Sequence, residues 1–261
     1  MKKLLKGLLV CAMALTMTAC GGNKEKTDDS STQSQKTVKE ITVAVSPDYP
    51  PYESLDTSGN IVGFDADMLA LFPSYLNDET TEYKFVWKQM DFTQIVTQIQ
   101  GGQADLGIAG FTYSEDRIVA WSNPYAITSQ VAVVAEGSQI KTLKDLEGKT
   151  LAAQTSTTGE DAAKGVKDAK VVSVDNAQQI FESLKSNQYD AVIVDYSVAL
   201  NYVKNQGFVM LDEPLLDEKN FIIAKEDNKE MIELVNKALE KFVASDDYKQ
   251  LCEQWDIKPL Q

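Results

Sequence analysis

Residues 149–195 read "KTLAAQTSTTGEDAAKGVKDAKVVSVDNAQQIFESLKSNQYDAVIVD". The hydrophobic period changes repeatedly along this stretch. "KTLAAQ", "AKVVSV" and "YDAVIVD" are short apolar or β-branched runs, which predict strands. "TTGEDAAKGV" and "NAQQIFESLKSNQ" between them carry helix-spaced apolar residues. Strands that alternate with helices give an α/β architecture with mostly parallel sheets.

The same alternation extends outward. Upstream, "ITVAV" (41–45) and "YKFVW" (83–87) predict strands, and "ADLGIAG" (104–110) predicts a buried one. "GFDADMLALFPSYL" (63–76) predicts a helix that Pro73 must end or kink. "MDFTQIVTQIQGG" (90–102) predicts a second helix, which Asp91 can cap and Gly101 and Gly102 stop. After "QVAVVA" (130–135) and the opening stretch come the helix "YSVALNYVKNQ" (196–206) and the strand "NFIIAK" (220–225). In "KEMIELVNKALEKFVAS" (229–245), Ile232, Val235, Leu239 and Phe242 keep to one stripe of a helix. No internal repeat is visible.

The chain has 261 residues, 43% of them hydrophobic, enough for one large domain or two smaller lobes. Its formal net charge is −14, which argues against nucleic acid as a partner. It contains no histidine, so the commonest general base and the commonest zinc ligand are missing. The three cysteines, at 11, 20 and 252, show neither metal-ligand spacing nor a disulfide framework. No cofactor and no metal is expected. Cys252 is expected to be a small buried residue of the last helix, and Trp87, Trp121 and Trp255 to be core anchors.

"MKKLLKGLLVCAMALTMTAC" has a lysine-rich start, an apolar run and a small-residue end, the pattern of a secretory signal. "TMTAC" followed by Gly21 and Gly22 resembles the bacterial lipobox. The resemblance implies a signal peptide over 1–19, cleavage before Cys20 and lipid on its thiol. The polar segment 20–37 cannot bury enough surface to fold, and is expected to be a flexible tether. The expected location is extracytoplasmic, anchored to the cell membrane as a lipoprotein.

Ligands of open α/β sheets bind beyond the carboxyl ends of the strands. There "ADLGIAG" runs into Phe111, Thr112 and Arg117, the only arginine beside 24 lysines. A planar guanidinium grips a carboxylate with two parallel hydrogen bonds, which an ammonium cannot do. The alternative is a surface ion pair with Glu115 or Asp116. The loop "TSTTGED" opens a helix near Thr158, and such a start attracts anions. Asp195 ends "YDAVIVD" and can accept an ammonium group, or simply cap the helix that follows. Carboxylate plus ammonium describes a free amino acid. Tyr49 or Tyr52, with Phe92, can sandwich its side chain. For each of these rings the alternative is core packing.

With these residues collected, the chain from about 40 to 259 resembles the polar-amino-acid substrate-binding proteins of ABC transporters, bacterial solute-binding protein family 3. Glutamine-, histidine- and lysine/arginine/ornithine-binding proteins are among them. The stretches that carry the resemblance are "GFDADML", "MDFTQIVTQIQGGQADLGIAGFTYSEDR", "SNPY", "LEGKTLAAQTSTTGED" and "YDAVIVD". The resemblance implies a two-lobed, periplasmic-binding-protein-like fold of type II, with the ligand cleft between lobes joined by two crossing segments. Lobe 1 would comprise 38–128 plus 222–261, and lobe 2 would comprise 129–221. It assigns the ligand's α-carboxylate to Gly110, Thr112 and Arg117 with backbone near Thr158. The α-ammonium goes to Asp195, and the side chain to Tyr49, Phe92 and Gln154. Ser46 stands where many relatives for basic or amide side chains carry an aspartate, with Asp48 offset by two. Ser156 replaces a usual glycine.

The function so implied is capture of a free amino acid by a monomer that delivers it to an ABC transporter permease. A neutral polar side chain ranks first, a basic one close behind, an acidic one last. Two other readings stay open. One is an amino-acid sensor for a signalling partner. The other is an enzyme on the same fold, similar to cyclohexadienyl dehydratase, whose proton donor would have to be a carboxylate, Lys or Tyr.

Overall fold

The computed structural model describes residues 36–260. The signal segment, Cys20 and nearly all of the tether lie outside the described residues. At its far end the tether gives way to structure at Thr37, which pairs with Thr81.

The first half of the chain supplies β1 (Thr37–Val45), β2 (Asp48–Tyr49), β3 (Glu53–Leu55), β4 (Ile61–Val62), α1 (Phe64–Leu76), β5 (Thr81–Gln89), α2 (Phe92–Gln100), β6 (Leu106–Gly107) and β7 (Ala120–Trp121). The middle supplies β8 (Ala126–Ala135), a 3-10 turn (Leu143–Leu146), β9 (Thr150–Gln154), α3 (Thr158–Gly165), β10 (Lys170–Val174), α4 (Ala177–Lys185), β11 (Ala191–Asp195), α5 (Tyr196–Gln206), β12 (Phe208–Met210) and β13 (Leu216–Asn220). The chain ends with β14 (Ile223–Ala224), α6 (Lys229–Val243) and α7 (Asp246–Trp255).

Two sheet-rich lobes result. One sheet has the order β5-β1-β6-β14-β7, the other β10-β9-β11-β8-β12, with β13 also on β8. β1 runs parallel to β5 and β6, and β9 parallel to β10 and β11, as the alternating pattern requires. β8 and β14 are antiparallel to their neighbours. They enter their sheets from the opposite lobe, so no crossover helix sets their direction. β8 and β13 pair side by side, Glu218 opposite Thr128 and Asn220 opposite Ala126. These are the two crossing segments.

Local deviations have identifiable causes. The "NFIIAK" strand splits, because Asn220 closes β13 in one sheet and Ile223 opens β14 in the other. β6 is shorter than "ADLGIAG": Gly110 turns out of the sheet at φ +56°. Pro73 does not end α1, which runs on to Leu76 without an N–H at that position. Asp91 sits at the N-cap position of α2, but its side chain caps nothing there. Its carboxylate instead accepts from Gln94 Nε2 at 3.4 Å. Gly63 precedes α1 because a Cβ there would stand 2.3 Å from Tyr52 O. That close approach lets Pro51 O and Tyr52 O accept from the first helical N–H groups.

The cores follow the apolar stripes. Val43, Val45, Leu106 and Ile108 of the first sheet and Val192, Ile193 and Ala152 of the second are buried. On α6, Val235, Leu239 and Phe242 are buried and Ile232 lies at the margin. Full burial of such a side chain contributes about 1.5–3 kcal/mol. The three tryptophans are not central anchors but pack half-buried on core margins, and Trp255 Nε1 donates to Asp67 at 2.8 Å. Cys252 is buried, and burial pushes its thiol up to about 11.

Candidate functional site

The carboxyl ends of β6, β9 and β11 and the crossing strands converge on one cavity. Tyr49, Phe92, Gly110, Thr112, Arg117, Gln154, Thr158 and Asp195 line it, with Ala109, Phe111 and Thr157. Eight of the nine expected ligand-binding residues thus meet in one place. Its free volume is about 10 Å³, room for one water at most. The walls must part for anything larger.

Arg117 projects from the loop after β6. Its Nη1 donates to Thr112 O (2.6 Å) and its Nη2 to Ser156 O (2.8 Å) on the other lobe. The guanidinium carbon lies 5.8 Å from the ring centre of Phe92 and 5.4 Å from that of Phe111. Those two rings stack at 4.9 Å. Among the described residues Arg117 has no carboxylate within 4.0 Å, so the surface ion pair with Glu115 or Asp116 does not form. Burial lowers its pKa, and the fields of Glu218, Asp161 and Asp195 partly offset this. The result is a partly desolvated cation held by carbonyl oxygens.

Asp195 is the complementary group. It starts α5 but makes no side-chain cap bond. Instead Tyr49 Oη donates to its Oδ2 (2.6 Å), Thr128 Oγ1 to its Oδ1 (2.8 Å) and Gln130 Nε2 to its Oδ2 (3.2 Å). Burial raises its pKa and these hydrogen bonds oppose the rise. Among the described residues no cation pairs with it.

At the start of α3, Thr157 caps the helix through Glu160 N. Thr158 Oγ1 lies 2.7 Å from Thr112 Oγ1 and donates to Glu218 Oε2 at 2.9 Å. Gln130 Nε2 also reaches Glu218 Oε2, at 2.8 Å. Burial raises the Glu218 pKa, with Asp195 adding to it. Ser156 adopts φ +63°, the left-handed region that a glycine would enter freely. Its N–H is held by Glu160 Oε2 at 2.8 Å.

Ser46 alone stands back from the cavity. Its hydroxyl donates to Asp48 Oδ1 at 2.8 Å. Asp48 turns inward, and its Oδ2 accepts from Gln154 Nε2 (3.1 Å) and from Ala177 N at the start of α4 (2.8 Å). Burial raises the Asp48 pKa. Tyr49 and Phe92 both face the cavity as expected, while Tyr52 is core, stacked on Tyr49 at 6.1 Å.

Sequence reasoning missed Thr128, Gln130 and Glu218. A signal existed: Thr128 and Gln130 alternate on β8, and Glu218 faces Thr128 across the ladder. Polar residues at period two on a buried strand mark a wetted or ligand-facing side. The described residues hold no cluster fit for a metal ion, and no helix long and apolar enough to cross a membrane.

Among curated relatives, a probable histidine-binding protein of Neisseria gonorrhoeae is 28% identical, over 99% of this chain and 97% of that protein. The arginine-binding extracellular protein ArtP of Bacillus subtilis (strain 168) is 29% identical over 98% of each. Among solved structures, an ancestral arginine-binding protein bound to arginine superposes with a TM-score of 0.76 at 36% identity. It covers 83% of this chain and 97% of that one. The sequence pattern of the bacterial extracellular solute-binding proteins, family 3, matches residues 41–258, and the chain belongs to that family.

Proposed function

We propose that the protein captures one free α-amino acid between its lobes and delivers it to an ABC transporter permease. One observation carries the binding part. A half-buried guanidinium without a carboxylate and a buried carboxylate without a cation line the same cavity. A zwitterion satisfies both: its carboxylate joins Arg117, Thr112 and the α3 start, and its ammonium joins Asp195. The histidine-, arginine- and glutamine-binding relatives support the same substrate class. The proposal is binding without catalysis.

The side chain extends toward Gln154, between Tyr49 and Phe92. Asp195 lines the cavity, Asp48 and Glu218 bond to its lining residues Gln154 and Thr158, and burial raises the pKa of all three against one arginine. A ligand carrying one net positive charge relieves that excess. The inward turn of Asp48 therefore reverses the order expected from Ser46: a basic side chain comes first, a neutral polar one second, an acidic one last. The two rings add cation–π attraction for a guanidinium. Titration calorimetry with L-arginine, L-lysine, L-histidine, L-glutamine and L-glutamate on refolded protein tests the order. Tightest binding of glutamine or glutamate would overturn it.

Lipid attachment at Cys20 and anchoring to the membrane are part of the proposal. They rest on the "TMTAC" stretch and the extracellular character of the family.

A further inference from the structure

Behind the cavity, Glu53 of β3 and Asp65 of α1 are both 0% exposed. Their carboxyl groups are neighbours close enough to act on each other directly. Neither Glu53 oxygen, nor Asp65 Oδ1, meets any donor among the described residues. Asp65 Oδ2 accepts from Gly110 N at 3.4 Å and from Tyr125 Oη at 3.2 Å. The other titratable groups whose fields reach the pair are Tyr52, Tyr125, Asp48 of β2 and Asp195 of β11. No lysine or arginine among the described residues pairs with it. Two ionised carboxylates in contact at such a place would repel with nothing to compensate them, and a single proton between them removes the conflict.

We infer that Glu53 and Asp65 are a proton-sharing pair of positioning residues, Glu53 donating to Asp65 and Asp65 fixing the loop that receives the ligand's carboxylate. The hydrogen-bond path supports this. Gly110, held by Asp65, is two residues before Thr112, whose carbonyl holds Arg117. Gly110 O accepts from Asn220 Nδ2 (2.9 Å), and Asn220 Oδ1 from Tyr52 Oη (3.0 Å), which ties the same loop to the crossing strand β13. Asp65 Oδ2 accepts two hydrogen bonds that stabilise its charge and the Glu53 oxygens accept none, which puts the proton on Glu53. Burial places Glu53 well above the carboxylate range and Asp65 at about 7.

The inference rests on the amino-acid reading only where affinity is the readout, so the test has two arms. In the first, L-arginine affinity is measured for Glu53→Gln, Glu53→Met and Glu53→Ala. Gln keeps a donor toward Asp65 and should bind within about threefold of wild type. Met fills the space without donating, and Ala leaves it empty. Both strand the Asp65 carboxylate and should weaken binding about five- to a hundredfold. Equal affinity of the Met and Gln variants would overturn the inference.

The second arm needs no ligand. The folded chain keeps a proton on Glu53 that the unfolded chain releases above about pH 4.3. Stability should therefore fall as pH rises, and Glu53→Gln should flatten the slope by up to one proton. An unchanged slope would overturn the inference. Carboxyl 13C spectra of the wild-type chain decide even if every variant misfolds. One glutamate resonance should stay at its protonated position at about pH 7, and full ionisation of all glutamates there would overturn the inference. Absence of L-arginine binding by the wild type would count against the ligand reading alone, because the stability and 13C measurements still judge the pair.

Discussion

Replacing Arg117 with lysine keeps the charge and removes the fork. The guanidinium makes two hydrogen bonds to carbonyls, one on each lobe, at 2.6 and 2.8 Å. An ammonium on a shorter reach can keep one of them, or turn to the ligand, but cannot do both in plane. Loss of one charged hydrogen bond costs about 1.5–3 kcal/mol. Loss of the stacking on Phe92 and Phe111 adds about 0.5–1 kcal/mol. Together this is about 2–4 kcal/mol, or roughly 30- to 800-fold in Kd. Arg117→Ala, which also leaves the ligand's carboxylate unpaired, should fall at or beyond the upper end. Calorimetric titration of L-arginine into refolded wild type and both variants measures this directly. Small-angle scattering adds a check, since wild type should compact on saturation and Arg117→Ala should compact less. Wild-type affinity in the lysine variant would mean that Arg117 merely bridges two loops.

Asp195→Asn should weaken binding by about 2–5 kcal/mol, and should flatten the loss of wild-type affinity as pH falls toward the raised pKa of Asp195, where the ammonium loses its carboxylate. An unaltered acid limb of affinity in that variant would refute the assignment. Ser156→Gly should stabilise the fold by up to about 1 kcal/mol, because relief of left-handed strain slightly exceeds the added freedom of the unfolded chain; chemical denaturation would expose a loss instead. Cys20→Ala should move the protein from the membrane fraction to the medium with no change in melting temperature, and continued membrane retention would rule out the lipid anchor.

The architecture was legible where the chain states its periods plainly. From Thr150 to Asp195 each expected strand and helix is present, because local pattern and tertiary role agree there. The direction of β8 and β14 was not, since it depends on the chain changing lobes, which leaves no local trace. Arg117 stood out as the only arginine of the chain, and Asp195 and Thr158 because each sits at an element end. The inward turn of Asp48 was not legible from its offset in the sequence. A turn closed by Asp48 N donating to Ser46 O swings it inward, and its partner Ala177 N lies 129 residues away. Gln130 and Glu218 gain their roles only from cross-strand register, and Glu53 and Asp65 only from a helix laid against a short strand.

The hydrogen bond from Tyr49 to Asp195 has a consequence for how recognition is scored. A phenol of one lobe already occupies the carboxylate that an ammonium would seek on the other. On the proposed reading an incoming ammonium joins an oxygen that already accepts from Tyr49 and Gln130, so its gain is that of a charged donor over the neutral ones it crowds. On the same reading a molecule without the ammonium gains nothing at that oxygen over what the tyrosine already supplies. If the cleft binds amino acids as proposed, part of its selectivity is thus written into a competitor that never leaves the molecule.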